Sequence, residues 1–391
     1  MVHTGLDELA RGFAGLEGRR VGLVTHAPAV DRGLQSAVDV VAGLPGVRLE
    51  AVFGPEHGFH GQAQDLEGIT GSEPLGAAPR IVSLYDGTAA SLRPTAAQLA
   101  GIDVLVVDLV DIGSRYYTFQ ATMKYCLEAA APLGIRMVVL DRPNPIGGVA
   151  VEGPALRPGY ESFVGAHDIA CRHGLTMGEL ARLYARDLGL ADDAVEVVRC
   201  TGWRREDYGD ACGLPWVLPS PNMPTVDTAV VYPGQCLLEG TNLSEGRGTT
   251  RPFEICGAPW IDGAALARRL GGFGLPGVAF RPVTYRPTFQ KHAGIDCGGV
   301  QLHVTDRGAF RPVRTGLAVL VEMRRQSPVQ FAWRTEPYEF VADPIAIDLL
   351  FGSDRERKAI EAGVDWRDIA AAWEPEEREF DARRREILSD D

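Results

Sequence analysis

The sequence has no paired-cysteine motif, no long apolar run and no surplus of positive charge, and each absence removes a class of protein. Its seven cysteines (Cys126, Cys171, Cys200, Cys212, Cys236, Cys256, Cys297) are scattered, odd in number and nowhere spaced CxxC. That fits reduced, mostly buried thiols better than a disulfide framework or a zinc knuckle. No apolar stretch reaches the roughly 18 to 20 residues that span a bilayer. The opening MVHTGLDELARGFAGLEGRRVGLVTH lacks the basic segment and apolar core of a signal peptide. The expectation is a cytoplasmic protein with no membrane partner, with export of a longer precursor left open. With 39 Lys and Arg against 52 Asp and Glu, a net charge of −13, nucleic acid is not an expected partner. Binding a polyanion needs a concentrated basic surface to displace counterions.

Three catalytic or cofactor signatures are also missing. There is no G-x-G-x-x-G after a strand and no G-x-x-x-x-G-K-[ST], so neither NAD nor a nucleotide is expected as cofactor. There is no G-x-S-x-G elbow and no cysteine in a nucleophile motif.

What is present is an alternation of short β-branched runs and helical patterns over the first 150 residues. RVGLVTH, RLEAVFG, IVSLY, IDVLVVDLV and IRMVVLD read as strands, separated by helices at GLQSAVDVVAGL, PTAAQLAG and TFQATMKYCLEAAAPLG. Continuous apolar strands with intervening helices predict an α/β fold, a Rossmann-like doubly wound parallel sheet covered on both faces. Beyond residue 155 the composition turns to Pro- and Gly-rich segments. There HGLTMGELARLYARDLG and DGAALARRLGG read as helices, and AVEVVRC, GVAFRPVTY and GGVQLHVTD as strands. At 391 residues the chain suits two domains. We place them at 1–155, Rossmann-like, and 156–391, a smaller α+β domain packed tightly on the first. The closing EPEEREFDARRREILSDD mixes both signs as a solvated helix does, and reads as a charged surface tail.

The residues that follow the strands carry the functional signal. RVGLV ends in Thr25-His26, RLEAVF in Gly54-Pro55-Glu56-His57, IDVLVV in Asp108 and then Asp111, and IRMVVL in Asp141-Arg142-Pro143-Asn144. Open α/β sheets bind ligands in the crevice at the carboxyl ends of their strands, so these groups should converge on one cleft.

Four segments could carry chemistry there. In PEHGFHG, His57 and His60 with Glu56 or Asp65 have the donor types of a zinc site, although Pro55 and Gly58 make this a loop and no third histidine is near. The same stretch reads equally as a polar glycine turn, or as a partly buried Glu56 whose desolvation would raise its pKa and let it act as an acid, with His57 orienting it or binding substrate. In DLVDIGSRYYTF, Asp111 and Arg115 suit an ion pair, Arg115 alternatively a carboxylate, and Tyr116 and Tyr117 a sugar face. In LDRPNPIGG, Asn144 offers an amide donor and acceptor. The densest run, PSPNMPT followed by YPGQCLLEGTNLSEGRGTTRPFE, joins Asn222, Glu239, Asn242, Ser244, Glu245, Arg247, Thr249 and Thr250 in loops suited to a polyhydroxylated ligand. Carboxylates at unusual turns are what this sequence supplies in quantity, and cleavage of a glycosidic bond is a reaction that uses two of them.

Taken in order, GPEHGFHG, DLVDIGSRYYTF, LDRPNPIGG with VEGP, RHGLTMGELA, PSPNMPT, YPGQCLLEGTNLSEGRGTTRPFE, RPTFQK and GVQLHVTDR resemble the motifs of the exo-β-N-acetylmuramidases of glycoside hydrolase family 171, the NamZ family. The resemblance implies a site between the two domains. It also implies release of terminal N-acetylmuramic acid from peptidoglycan fragments, a small carbohydrate substrate, without metal or nucleotide. The family's PEHG glutamate falls on Glu56, and the polar residues of its TNLSEGR block on Asn242, Glu245 and Arg247. Two positions depart: Val110 stands where the second motif often has Gln, and His60 where Arg is usual.

The expected mechanism has Glu56 protonating the leaving oxygen with His57 beside it, and a second carboxylate from Glu239, Glu245 or Asp111. Arg115 or Arg247 would meet the lactyl carboxylate, Tyr116 would form part of the sugar platform, and His26, Asn144, Asn222, Asn242 and Thr249 complete the expected substrate contacts. Retention or inversion depends on whether the carboxyl groups lie roughly 5 to 5.5 Å or 6.5 to 9.5 Å apart. Two rival readings are a non-catalytic muropeptide- or sugar-binding protein and a metal-dependent hydrolase built on Glu56, His57 and His60. The sequence carries nothing on oligomeric state.

Overall fold

A computed structural model describes residues 1–12, 14–61, 63–64, 67–68 and 79–388. Six parallel strands form the larger sheet: β1 (Arg20–Thr25), β2 (Arg48–Gly54), β3 (Arg80–Ser83), β4 (Val104–Asp108), β5 (Arg136–Leu140) and β6 (Val195–Val198), in the order β3-β2-β1-β4-β5-β6. This is the predicted Rossmann-like sheet. Every residue of β4 is buried, as a central strand covered on both faces requires. The strand order reverses between β1 and β4, whose ends are in register at Thr25 and Asp108. A crevice opens at such a switch point because the connections leave in opposite directions.

The sheet does not stop at residue 155. AVEVVRC supplies β6, which pairs with β5 through Met137–Val195 to Leu140–Val198. The Pro- and Gly-rich segment before it is a long excursion from the first sheet and not the start of a second one. The smaller sheet is antiparallel, β7 (Ile255–Ala258), β9 (Cys297–Val304) and β8 (Val278–Tyr285), in the order β7-β9-β8.

Local chemistry explains the helix starts. Thr95 with Gln98 and Thr176 with Glu179 form reciprocal capping boxes at the helices Ala96–Leu99 and Met177–Asp187, and Asp262 caps Gly263–Gly271. One continuous apolar core runs from Phe53 and Val107 of the large sheet through Val230 and Leu238 to Val300, Leu317 and Phe351. The two sheets therefore share an interior.

The C-terminal segment is a helix, Glu374–Arg385, but not the free charged tail its composition suggested. Glu376 and Glu377 accept the backbone N–H groups of Ala155 and Gly153 at 2.9 and 2.8 Å, and Arg384 donates to the carbonyls of Gly148, Val149 and Gly174. Its charges satisfy backbone groups of the excursion between β5 and β6. Among the described residues no helix is long and apolar enough to cross a membrane.

Candidate active site

Glu56 sits in a tight turn immediately after β2. Gly58 N–H donates to Pro55 O at 3.0 Å, closing a β-turn whose third residue, His57, has φ of +67°. The chain then folds back so closely that a Cβ on Gly54 would lie 2.9 Å from Phe59 N, which is why the strand ends in glycine. This leaves the Glu56 side chain 6% exposed, with the Thr118 hydroxyl donating to its Oε2 at 2.5 Å. Thr118 is the residue before the helix Phe119–Ala130, yet its hydroxyl caps nothing there. It is turned to the carboxylate instead. His57 Nδ1 donates to Ala63 O at 2.8 Å, so in the neutral ring Nε2 carries no proton.

Glu56 and His57 line a cavity of about 500 Å³ together with Tyr116, Tyr117, Thr118, Phe119, Val164, Ser220, Asn222, Tyr232, Glu239, Arg247, Phe253, Tyr338 and Glu339. Its walls are a chain of edge-to-face aromatic rings, Phe119 to Tyr117 (5.0 Å), Tyr117 to Tyr232 (5.6 Å) and Tyr232 to Phe253 (4.8 Å), with the Arg247 guanidinium 5.1 Å over Phe253. Apolar ring faces beside a few convergent polar groups are the chemistry of a sugar site. Three carboxylates reach it: Glu56, Glu239 and Glu339.

The last two differ. Glu239 is bound by Arg247 Nη2 at 3.0 Å and by the Tyr338 hydroxyl at 2.7 Å, so it is held in an ion pair. Glu339 accepts from the Tyr85 hydroxyl at 2.9 Å and is 5% exposed. It occupies the first tip position of a two-residue hairpin closed by Tyr338 and Val341, whose tip residues Glu339 and Phe340 have φ of +46° and +68°. Such tips favour Asn-Gly, because a side-chain-bearing residue there costs about 1 to 2 kcal/mol. Among the described residues seven non-glycine residues have positive φ, and His57, Phe253 and Glu339 of these line this one cavity. Strain of this kind gathers where function fixes the backbone.

The sequence missed Glu339 because EPYEFVADP has no glycine or asparagine to mark the turn. The only available signal was a carboxylate between two aromatics. Thr118, Tyr232, Phe253 and Tyr338 were missed for a similar reason, since each reads as core.

The other expected residues divide. Tyr116 lines the cavity with its hydroxyl spent on Pro233 O, and Asn222 lines it while donating to Gln64 Oε1 at 2.9 Å. Glu245 lies behind the cavity wall. Burial raises its pKa, but Lys291, 2.9 Å away, and Arg247, 3.5 Å away, prevail and hold it below the ordinary range. Asn242 pins Gln330 and Ala332, Thr249 bonds Gly246 O, and Asn144 bonds Leu175 O and Ile146 N; all three shape loops. His26 accepts the Val110 N–H at 2.9 Å through Nε2. Burial, then Arg142 and His57, lower its pKa to about 3, so the ring is neutral and holds backbone. Asp111 accepts Gly113 N–H and approaches His173 at 3.5 Å, lining a different cavity, and it forms no ion pair with Arg115.

Arg115 corrects the expectation most sharply. It is completely buried, donating to the carbonyls of Pro154, Ile169, Leu350 and Phe351 at 2.7 to 2.9 Å. The last two end the helix Ala346–Phe351, whose carbonyls have no partner within the helix. Arg115 latches four backbone carbonyls together and has no exposed surface to offer a ligand. Arg115→Met is expected to lower unfolding stability by about 3 kcal/mol in a urea titration, since four buried carbonyls lose their donor. An unchanged midpoint with a raised KM would return Arg115 to the substrate site.

His60 is exposed, its ring edge on Phe59, and Asp65 lies outside the described residues. Among the described residues no group of three or more His, Cys, Asp or Glu is placed to hold a metal ion.

Comparison with known proteins places the chain as a whole. The family models for the N-terminal and C-terminal parts of exo-beta-N-acetylmuramidase NamZ match residues 21–227 and 230–389. Their junction falls after β6, where the large sheet ends. The peptidoglycan beta-N-acetylmuramidase NamZ of Bacillus subtilis is 43% identical over 390 residues, 99% of this chain and 91% of that protein. Two crystal structures of DUF1343 family proteins from Bacteroides fragilis superpose with TM-scores of 0.88 and 0.77 at 33% and 27% identity, each over 99% of this chain and 98% of the other. With both halves matched and a relative aligned nearly end to end, the chain belongs to the exo-beta-N-acetylmuramidase NamZ family.

Proposed function

We propose that the protein is an exo-acting glycoside hydrolase that releases terminal β-linked N-acetylmuramic acid from peptidoglycan fragments. The observation that carries this is a buried Glu56 that lines an aromatic-walled cavity together with two further carboxylates, in a chain 43% identical to a peptidoglycan beta-N-acetylmuramidase.

Glu56 donates its proton to the glycosidic oxygen as the bond to the anomeric carbon breaks. The Thr118 hydroxyl fixes the carboxyl rotamer, and a hydroxyl can donate to the carboxylate or accept from the carboxylic acid, so it serves both states of the cycle. Glu339 is the second carboxylate. It either stabilises the positive charge that develops at the anomeric carbon or takes a proton from the attacking water. Glu239, in its ion pair, holds Arg247 in place, and Arg247 presents its guanidinium to the lactyl carboxylate of the muramic acid. Tyr117, Tyr232 and Phe253 form the platform for the sugar ring.

Incubation with the disaccharide N-acetylmuramyl-β-1,4-N-acetylglucosamine, followed by mass spectrometry, is expected to show both monosaccharides. Intact disaccharide with measurable affinity would make the protein a sugar-binding module instead.

A further inference from the structure

Tyr85 is buried outside the lining of the Glu56 cavity, yet its hydroxyl donates to Glu339, which lines it. It stands two residues beyond β3, and Glu56 stands two residues beyond β2. These strands are in register at Ser83 and Gly54, and the Leu84 N–H donates to Gly54 O at 2.8 Å. The glutamate and the tyrosine therefore leave neighbouring strands at the same level. We propose that Tyr85 is a positioning residue for the reaction: it holds Glu339 at a fixed separation from Glu56 and in its charged form. This rests on the glycosidase reading above.

The surroundings of Tyr85 are built for that task. Its ring packs on Phe163, stacked at 5.8 Å, and on Phe340 at 5.3 Å. Phe163 stacks in turn on Tyr125 at 6.2 Å, and the Arg93 guanidinium lies 3.7 Å over the Tyr125 ring. A hydroxyl carried on a ring so packed has one place to be. Both left-handed residues of the hairpin tip meet this one side chain, Glu339 through the hydroxyl at 2.9 Å and Phe340 through the ring. The edge of the large sheet thus sets where the tip sits, and with it the spacing of the two carboxyl groups on which the course of glycoside cleavage depends.

The hydrogen bond also bears on charge. Burial disfavours an ionised carboxylate, whereas a hydroxyl that donates to it favours that form. Glu339 needs to be ionised both to stabilise a positive anomeric centre and to accept a proton from water. Glu56, His57, Glu239 and Arg247 line the same cavity, and Arg247 is bound to Glu239 at 3.0 Å. Two tyrosines divide the remaining pair of carboxylates between them: Tyr338 donates to Glu239, and Tyr85 to Glu339.

The test is Tyr85→Phe in the full chain, assayed on the muramyl-glucosamine disaccharide across pH. Phenylalanine keeps the ring and its stacking, so the fold is retained and the donor alone is lost. The expected result is a kcat about 10-fold lower with KM within about twofold. The acid limb of the kcat profile should move up by about one pH unit, since a carboxylate that loses a donor is protonated more readily. In a Glu339→Gln background the same change should cost less than about twofold, because Tyr85 acts through that carboxylate. An unchanged kcat, a fall with the acid limb unmoved, or a loss that multiplies with that of Glu339→Gln would overturn the role of Tyr85 and leave the glycosidase reading intact. Wild-type enzyme that leaves the disaccharide uncut would overturn both.

Discussion

Glu56→Gln is expected to lower kcat on the disaccharide by about 10²- to 10⁴-fold, the range in which a positioned general acid contributes. The amide keeps the shape of the side chain and can still accept from Thr118, so the cavity is preserved and the proton alone is removed. The loss should shrink markedly on a nitrophenyl β-muramide, because nitrophenolate leaves without protonation. That contrast separates an acid from a nucleophile, whose removal would cripple both substrates equally. Wild-type turnover of the disaccharide by Glu56→Gln would sink the assignment.

The second large effect is expected at Glu339. Glu339→Gln retains an acceptor for the Tyr85 hydroxyl and the same hairpin, so the unfolding temperature should stay within about two degrees, while kcat falls by about 10²- to 10³-fold, as for loss of an electrostatic partner to the transition state. Glu239→Gln serves as the comparator. It leaves Arg247 with one fewer carboxylate in a buried site, so its expected signature is a lowered unfolding temperature and a raised KM. If the two variants exchange these signatures, Glu239 is the partner carboxylate and Glu339 the support. The positive φ at Glu339 favours this role for it, since strained backbone gathers at functional positions.

Much of this could be read from residue order. The strands that lead to Glu56, Asp108 and Asp141 were legible because parallel strands in a covered sheet are unbroken apolar runs. β6 was legible as a strand but not as a member of that sheet, because a pairing between residues 138 and 196 leaves no local trace. Of the residues expected at the site, Glu56, Arg247 and Glu239 line the candidate cavity, and each lies in or beside a glycine-marked turn of the kind that attracts notice. Arg115 belongs to one as well and proved structural, because the four carbonyls it satisfies come from residues 154, 169, 350 and 351. Sequence shows that a charged residue sits in an unusual loop, but not whether backbone or substrate is its partner. Asn144, Asn242 and Thr249 misled in the same way. Glu339 failed in the opposite sense, since nothing in its neighbourhood advertises a left-handed turn.

The hairpin from Tyr338 to Val341 also bears on how such an enzyme is made. The proposed acid is contributed by residue 56 and its proposed partner by residue 339, so a ribosome has translated most of the chain before the cavity holds both. A nascent or truncated chain that stops short of that hairpin has the first sheet and the proposed proton donor but lacks the group proposed to answer the developing charge. On this chemistry glycan cleavage becomes possible only when the chain is nearly finished, and contacts so distant in sequence are among the slow ones to form.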